Sequence, residues 1–303
     1  MSAANTTGLN FRQDYFSDPA AWAAIVSLLN DTFGIDIDPL RDLGGPDPTS
    51  MPFGWFTDEG VLAANLSAFA MPFVLNGRLV NAAGLQSGAV RPPWRGRGLY
   101  RDVTQKALAW CEAQGFEAVI LYTDKPALYE KYGFRSLPLH KYVGQAPIAM
   151  DYSGSRPLQP RDTEDLALLQ GLLATRKPVS ETLAVASSPA MFLINTLLDP
   201  DVRLSYLEEY KAAVAWKMPA DGHFALLDVV AAEIPSFAAI LAGLGILATT
   251  VETHFRPDRL RWHGKAVPYE SGTRMMVRGL KEISLTIPPC SLHWRISKAI
   301  FSV

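Results

Sequence analysis

Cysteine and histidine are scarce in this sequence of 303 residues, which contains two cysteines and five histidines. Cys111 and Cys290 lie far apart, so the sequence predicts no disulfide framework. The histidines are scattered and none has a metal-ligand spacing such as H-E-x-x-H, so we expect no metal site. Because so few cysteines are typical of a reducing compartment, we expect a cytoplasmic protein.

Strong charge and long apolar runs are also missing. The formal net charge is −2, and no broad basic region indicates binding to nucleic acid or to an anionic membrane. The most apolar helical stretch, Phe237 to Thr249, is too short to span a bilayer, and the first residues lack the basic and apolar regions of a signal peptide. No G-x-S-x-G or G-x-x-x-x-G-K-[ST] motif occurs, which argues against a serine-hydrolase elbow and a P-loop.

What the sequence does contain is an organised stretch from Ser87 to Leu99, SGAVRPPWRGRGL. Small and apolar residues from Gly84 to Val90 predict a strand, and Pro92 with Pro93 ends it. After the Arg95–Gly98 segment the pattern becomes helical. One apolar stripe then contains Leu99, Val103, Ala107 and Cys111.

A strand, a glycine loop and a helix start in this order suit a phosphate group. The first N–H groups of a helix have no internal partner, and the helix dipole places positive charge there. Gly96 and Gly98 would allow close approach to the main chain, and Arg95, Arg97 and Arg101 add charge. The alternative is a tight turn whose arginines are only solvated, because short glycine motifs are often coincidental.

The following residues add a second motif. Phe116 to Tyr122 predict a buried strand, and Leu128 to Phe134 read L-Y-E-K-Y-G-F, a short helix with Tyr129 at its centre that ends at Gly133.

Together, V-x-P-x-x-R-G-x-G-L at Val90 to Leu99 and L-Y-E-K-Y-G-F resemble the GNAT superfamily of N-acetyltransferases over roughly residues 10–145. The resemblance implies acetyl-CoA as co-substrate, a pantetheine-binding strand, a pyrophosphate-binding loop and a tyrosine that protonates the leaving thiolate. By resemblance these are Ser87, Gly88, Ala89 and Val90 for pantetheine; Arg95, Gly96, Arg97, Gly98 and Leu99 for phosphate; and Tyr129 as the general acid.

Two positions depart from the family pattern. Pro93 stands where the family usually has Gln or Arg, and no asparagine occurs between Tyr122 and Tyr129. The pantetheine partner that this asparagine often supplies is therefore unassigned, with Thr123 and Asp124 as candidates.

The connection after the first predicted helix is acidic. That helix covers residues 18–33, with Asp18 as N-cap and Pro19 at its first position, and the loop-rich residues 34–60 contain a single arginine among several acids. An acidic wall would attract a cationic amine acceptor, whereas the competing interpretation is that the aspartates serve turns. The candidate acceptor residues are Asp58, Glu59 and Asp124.

Further elements complete the layout. Leu66–Leu75 and Arg78–Leu85 predict a hairpin around Asn76-Gly77. After a linker near residue 152, helices at 161–174, 189–198 and 236–243 alternate with strands at 203–208, 212–218, 224–230, 251–255 and 275–277.

The second half therefore repeats the order of the first half. We predict an α/β (α+β) fold of two tandem GNAT-like domains, each a mixed, mostly antiparallel sheet flanked by helices. Residues 1–152 would be the catalytic domain, and residues 153–303 a degenerate domain without a cofactor loop, like that of the enhanced-intracellular-survival acetyltransferases. After Val230 no R-G-x-G occurs, and Glu233 would repel phosphate.

The predicted function is transfer of acetyl from acetyl-CoA to a primary amine of a small molecule or peptide by direct attack. A backbone N–H near Ala89 or Val90 would hold the oxyanion. Two alternatives stay open: a non-catalytic acyl-CoA-binding regulator, which would not need Tyr129, and a nucleic-acid-binding module that uses Arg91, Arg95, Arg97 and Arg101. Two interpretations stay open for the apolar C-terminal segment, residues 291–303. In the simpler one it packs on the fold or frays. In the other, which the resemblance to the enhanced-intracellular-survival acetyltransferases implies, its terminal carboxylate reaches the active site.

Overall fold

A computed structural model describes residues 3–148, 154–269 and 272–280. The described chain contains two seven-stranded sheets, one three-stranded sheet and helices on their faces. The helices are α1 (Pro19–Phe33), α2 (Leu99–Ala113), α3 (Ala127–Glu130), α4 (Thr163–Thr175), α5 (Pro189–Leu198) and α6 (Phe237–Leu244).

The strands are mostly short, and most pair antiparallel. In chain order they are β1 (Asn10–Gln13), β2 (Met51–Phe56), β3 (Leu62–Ala70), β4 (Phe73–Leu75), β5 (Arg78–Val80), β6 (Ala82–Val90), β7 (Ala118–Thr123), β8 (Arg135–Leu137), β9 (His140–Gln145), β10 (Arg156–Pro157), β11 (Leu183–Val185), β12 (Arg203–Leu207), β13 (Ala212–Ala220), β14 (His223–Val230), β15 (Thr250–Thr253), β16 (Lys265–Pro268) and β17 (Arg274–Gly279).

The two large sheets have the same strand pattern. The first has the order β1-β2-β3-β6-β7-β17-β8, and the second has the order β10-β12-β13-β14-β15-β9-β16. Each contains one parallel pair at the equivalent place, β6 with β7 and β14 with β15. The fold class predicted from the sequence, two mixed and mostly antiparallel sheets flanked by helices, is confirmed.

Each large sheet takes one strand from the other half of the chain. β17 lies between β7 and β8 in the first sheet, antiparallel to both. β9 lies between β15 and β16 in the second sheet, also antiparallel to both. The halves are therefore joined by exchanged main-chain ladders. The predicted boundary at residue 152 falls outside the described residues and stays a prediction.

The predicted hairpin is present, but its tip belongs to a separate sheet. Asn76 and Gly77 form the two-residue turn with φ of 49° and 77°, as the paired left-handed positions of such a turn require. The strand predicted over Leu66–Leu75 is interrupted at Pro72, which cannot donate a ladder hydrogen bond. Beyond this break, β4 pairs with β5 on one side and with β11 of the second half on the other.

The helix boundaries follow their capping residues. Asp18 Oδ1 accepts hydrogen bonds from the N–H groups of Ala20 at 2.9 Å and Ala21 at 3.4 Å, so α1 begins at Pro19 as predicted. At the end of α2, the Phe116 N–H returns to the Cys111 carbonyl at 3.2 Å, and the left-handed Gly115 allows this reversal.

α1 and α2 cover opposite faces of the first sheet. Ile120 and Tyr122 of β7 pack in the same core as α1, whereas Val119 and Leu121 pack with α2. The stripe predicted for α2 is buried, at Leu99, Val103, Ala107 and Cys111.

Some predictions concern residues that the structure does not describe. Cys290, the linker residues 149–153 and the C-terminal segment 291–303 lie outside the described residues. Within the described ranges, every helix is too short or too polar to cross a membrane.

Candidate active site

The site forms where β6 leaves its parallel neighbour. β6 pairs with β7 only from Ala82 to Gly84, so the following residues have an unpaired edge on that side within the described chain. On the other side, Ser87 and Gly88 stand opposite Leu66 alone, because the β3–β6 register shifts there. This is a β-bulge, and Ser87 at its centre has a φ of 58°.

A buried polar network supports the bulge. Asn65 on β3 is fully buried, and its Nδ2 donates to the Ser87 carbonyl at 2.7 Å and to Ser67 Oγ at 3.2 Å. Asn65 Oδ1 accepts a hydrogen bond from the hydroxyl of the buried Tyr15. Both the oxygen and the nitrogen of the Asn65 amide are hydrogen-bonded, so the side chain is fixed in place. It holds Ser87 at a positive φ, which residues other than glycine rarely adopt.

The direction of the N–H groups follows from the pairing at the end of β6. The Arg91 N–H donates to the Ala63 carbonyl of β3 at 2.9 Å. In an antiparallel ladder the N–H groups alternate in direction, so the Val90 N–H is directed away from β3, toward the unpaired edge, and the Ala89 N–H toward β3. Of the two residues proposed to hold an oxyanion, Val90 therefore has the suitable orientation.

The R-G-R-G segment makes a tight loop into α2. A 3₁₀ turn over Pro92–Trp94 precedes it, and Gly96 and Gly98 have φ of 76° and 81°, which glycine adopts without strain. Gly98 is the N-cap of α2 and supplies no side-chain cap. Among the described residues, no hydrogen-bond acceptor faces the backbone N–H groups of Gly96, Gly98 or Leu99.

The two loop arginines have different surroundings. Arg95 is exposed, and its Nε donates to the Val90 carbonyl at 3.1 Å. Arg97 holds the N-terminal segment: its Nε donates to the Asn5 carbonyl at 3.1 Å and its Nη2 to the Thr7 carbonyl at 2.7 Å. The Asn5 N–H in turn donates to the Arg97 carbonyl at 2.8 Å. This segment therefore lies against the glycine loop.

Tyr129 lies in the short α3, close to the bulge and to the start of α2. Its side chain is 2% exposed, and its hydroxyl is hydrogen-bonded to the hydroxyl of Tyr100, the second residue of α2. The Tyr100 ring packs against Gly88 so closely that a Cβ at Gly88 would overlap the Tyr100 hydroxyl. Burial raises the pKa of Tyr129 well above its usual value, and an opposing effect of the Tyr100 hydrogen bond does not cancel this.

Of the three candidate acceptor residues, Asp124 lines a cavity. It directly follows β7 and lies in a cleft of about 690 Å³ whose walls include β8, Tyr269 and Arg274. Asp58 and Glu59 are exposed in the β2–β3 turn, and Asp58 accepts a hydrogen bond from Asn10 Nδ2 at 2.7 Å. The structure therefore does not bring the three acids into one cluster.

Other acids of the acidic connection serve local structure. Asp36 caps the Asp38 N–H at 2.9 Å, and Asp47 accepts from the N–H of Thr49 at 2.8 Å. Asp31, at the end of α1, pairs with Arg91. These contacts support the interpretation in which aspartates stabilise turns.

A smaller cavity of about 30 Å³ lies beside the bulge. Its walls come from both halves of the chain: Ser87 of β6, Trp22 of α1 and Asp47 of the acidic connection face Met191 and Ile194 of α5. The second half thus contributes directly to the surroundings of the bulge.

The equivalent helix start in the second half is closed by its own contacts. Ser236 Oγ accepts the Ala239 N–H at 3.2 Å, and the Phe237 N–H donates to the Leu260 carbonyl at 2.8 Å. A phosphate would have to displace these acceptors from α6, in agreement with the absence of a glycine loop there.

Sequence reasoning missed two residues of this site, Tyr100 and Asn65. Tyr100 directly follows the glycine motif and could have been noted as a large polar residue at a helix start. The only signal for Asn65 was an amide within an apolar strand, because its partners Tyr15 and Ser87 are distant in sequence.

Part of the chain matches a known protein-family model. Residues 20–137 match the model of an acetyltransferase (GNAT) domain. A search of curated protein sequences gave no significant match.

The chain is similar in fold to solved structures along most of its length. A GCN5-related N-acetyltransferase from Kribbella flavida has 17% identity and a TM-score of 0.56 over 90% of this chain and 72% of its own. Eis1 from Mycobacterium abscessus has 17% identity and a TM-score of 0.58 over 89% and 73%. A probable N-acyltransferase from Enterococcus faecalis has 15% identity and a TM-score of 0.58 over 89% and 72%.

The family model thus covers the bulge, the glycine loop and Tyr129, and the fold likeness covers both sheets. Residues 20–137 thus match a GNAT acetyltransferase domain, and the chain shares its fold with solved N-acetyltransferases along most of its length.

Proposed function

We propose that the chain transfers an acetyl group from acetyl-CoA to a primary amine at the end of β6. One observation carries the proposal: the buried hydroxyl of Tyr129, the unpaired edge of β6 and the open N-terminus of α2 meet around Gly88 and Tyr100. A proton donor, free main-chain groups and an anion site are the three components that acyl transfer from a CoA thioester needs.

The described residues fit acetyl-CoA. A Cβ at Gly96 would meet nothing within 4 Å, so the loop is open on that side. The N–H groups of Gly96, Gly98 and Leu99 would donate hydrogen bonds to the pyrophosphate. The edge of β6 from Ser87 to Val90, which is unpaired on the β7 side within the described chain, would pair with the amides of pantetheine. Bound acetyl-CoA supplies an activated acetyl thioester at this place.

Tyr129 is suited to deliver a proton. Since burial raises its pKa, the phenol stays protonated through the neutral and mildly alkaline range. Its hydroxyl is hydrogen-bonded to that of Tyr100, which sets its direction. The proton goes to the departing thiolate, while the Val90 N–H, directed away from β3, stabilises negative charge on the carbonyl oxygen.

The acceptor would approach through the cavity beside Ser87 or through the cleft at Asp124. Asp124 is our candidate for attracting the ammonium form and taking a proton from it; Asp58 and Glu59 lie on the exposed β2–β3 turn and would act only at longer range. The acceptor class is a small-molecule or peptide amine.

Three further parts of the proposal depend on the sequence. The second half is a degenerate GNAT-like domain without its own acetyl-CoA site, which agrees with the closed start of α6. The protein is assigned to the cytoplasm, where the free, buried Cys111 would stay reduced.

The alternative function, an acyl-CoA-binding regulator, would retain the loop but have no use for a buried, hydrogen-bonded Tyr129.

Calorimetry with acetyl-CoA tests the proposal on the wild type, Gly98→Glu and Gly115→Glu. Both glycines have positive φ and flank the same helix, so the two variants share backbone strain and added charge, but only Gly98 lies in the loop. We expect micromolar binding in the wild type and in Gly115→Glu, and none in Gly98→Glu. Absence of wild-type binding, or equal loss in both variants, would refute the acetyl-CoA site.

A further inference from the structure

A second cavity of about 610 Å³ lies on the sheet of the second half, away from the glycine loop and Tyr129. Its walls come from α5, β13, β14 and the end of β15. The polar side chains that line it are Asn195, Asp199, Asp201, Arg203, Lys217, Glu252, His254 and Tyr269.

Asn195 is the unusual member of this wall. Its side chain lies on α5 and is 1% exposed, yet neither Oδ1 nor Nδ2 has a hydrogen-bond partner among the described residues. A buried amide without partners destabilises a fold, and leucine has a similar size without this cost. Buried polar groups left unsatisfied in this way are expected at sites that serve a function.

Glu252 orients His254, the second residue of this wall with an unusual environment. The Glu252 side chain is buried, and its Oε1 meets His254 Nε2 at 3.0 Å. Glu252 Oε2 accepts from Lys141 Nζ at 2.6 Å and lies 3.0 Å from His223 Nε2. When neutral, His254 donates Nε2–H to this carboxylate and leaves Nδ1 as an acceptor. That Nδ1 is buried and has no hydrogen-bond partner among the described residues.

Two ion pairs lie at the wall of the cavity. Lys217 is paired with Asp199, and Lys141 with Glu252. The Arg203 guanidinium lies over the Trp216 ring at 5.1 Å. Two of the buried groups at this wall have no partner among the described residues: the Asn195 amide, which has both a donor and an acceptor, and His254 Nδ1.

We propose that this cavity binds an uncharged molecule that carries a carboxamide or peptide group. The C=O of such a group satisfies Asn195 Nδ2, and its N–H groups satisfy Asn195 Oδ1 and His254 Nδ1. A carboxylate would leave both acceptors unsatisfied and approach Glu252, whereas an ammonium would leave Nδ2 without an acceptor. The inference does not depend on the acetyltransferase function.

The test uses N-acetylglycinamide as probe and N-acetylglycine, its charged analogue, as matched control. Binding is followed by NMR titration of the His254 ring resonance, which is assigned by its absence in His254→Asn. We expect millimolar binding of the amide to the wild type and at least tenfold weaker binding of the carboxylate.

Two variants separate a ligand site from a packing fault. Asn195→Leu and Ser188→Ala each remove buried side-chain atoms without partners, so both should raise the melting temperature or leave it unchanged. Only Asn195→Leu should lose the binding of N-acetylglycinamide, and both variants should bind acetyl-CoA like the wild type. No binding of the amide to the wild type, or unchanged binding to Asn195→Leu, would overturn the proposal.

Discussion

The hydroxyl of Tyr129 is hydrogen-bonded to that of Tyr100, and the Tyr100 ring fills the space over Gly88. A buried phenol on α3 is thereby held by the first turn of α2, the same turn that begins at the glycine loop. The proposed anion site and the proposed proton donor are thus held by the same turn of one helix, which favours correct placement of both.

Replacing Tyr129 with phenylalanine should lower the acetylation rate about 10²–10⁴-fold, because the proton donor is lost while the ring remains. The measurement is thiol release from acetyl-CoA with a panel of amines. Tyr132→Phe is the matched control, since that hydroxyl lies in the next turn and has no hydrogen-bond partner among the described residues. If the two variants are equally active, Tyr129 is not the acid.

Tyr100→Phe should reduce the turnover number by a smaller factor, about 3- to 30-fold, because it removes only the hydrogen bond that directs the Tyr129 hydroxyl. Acetyl-CoA affinity should change little, since the ring over Gly88 is retained. Steady-state kinetics together with calorimetry separate the two effects. A loss confined to acetyl-CoA affinity would contradict a positioning role.

Arg97→Ala should release the N-terminal segment from the glycine loop. The side chain donates to the carbonyls of Asn5 and Thr7, so its removal should accelerate amide exchange at Asn5 by about fivefold or more. Arg95→Ala, which removes an exposed arginine of the same loop, should leave exchange there unchanged. Hydrogen exchange read by mass spectrometry checks this, and equal effects of the two variants would refute it.

Glu252 should make the second half sensitive to acid. Burial alone raises its pKa, but hydrogen bonds from His254 and Lys141 outweigh that effect and lower the pKa to about 2, from an ordinary 4.5. The stabilisation is therefore complete above pH 4.5 and is lost as the pH falls toward 2; it corresponds to roughly 3 kcal/mol.

Urea unfolding between pH 7 and pH 3 measures this dependence. Glu252→Gln should be less stable than the wild type at pH 7, and the difference should shrink as the pH decreases. Glu209→Gln, at an exposed position, should follow the wild type. If the difference in unfolding free energy between Glu252→Gln and the wild type does not change with pH, the ion pairs of Glu252 do not stabilise the fold.

Cleavage between the halves should not separate them. A protease site introduced within residues 149–153 would cut the chain between β9 and β10, yet β9 and β17 each lie in the other half's sheet. We expect the two fragments to elute together in size-exclusion chromatography and to unfold in one transition. Separate elution under native conditions would contradict the exchanged ladders.

Local elements could be predicted from the sequence because their signals are local. Asp18 with Pro19, Asn76-Gly77 and the apolar stripe of α2 each lie within a few residues of the structure that they specify. The glycine loop and Tyr129 were also found as motifs. Asn65, by contrast, acts on Ser87 across two strands, and Tyr100 acquires its role only when α3 folds against α2.

The strand exchange could not be predicted for a related reason. β9 and β17 pair with strands far away in sequence, and a short strand contains no signal that selects between two similar sheets. The interruption at Pro72 was noted in the sequence as an edge or bulge, but the pairing of β4 with β11 depends on the other half of the chain.

The position of β17 also bears on how the protein is made. β7 and β8 have no neighbour on their facing sides until residues 274–279 have left the ribosome. At about 5–20 residues per second, some 140 residues of synthesis separate β8 from β17, a delay on the order of ten seconds. During that interval the nascent first sheet has a gap beside Tyr122 and Thr123, next to the site. A chain terminated before residue 274 would therefore leave β7 and β8 without the strand that lies between them.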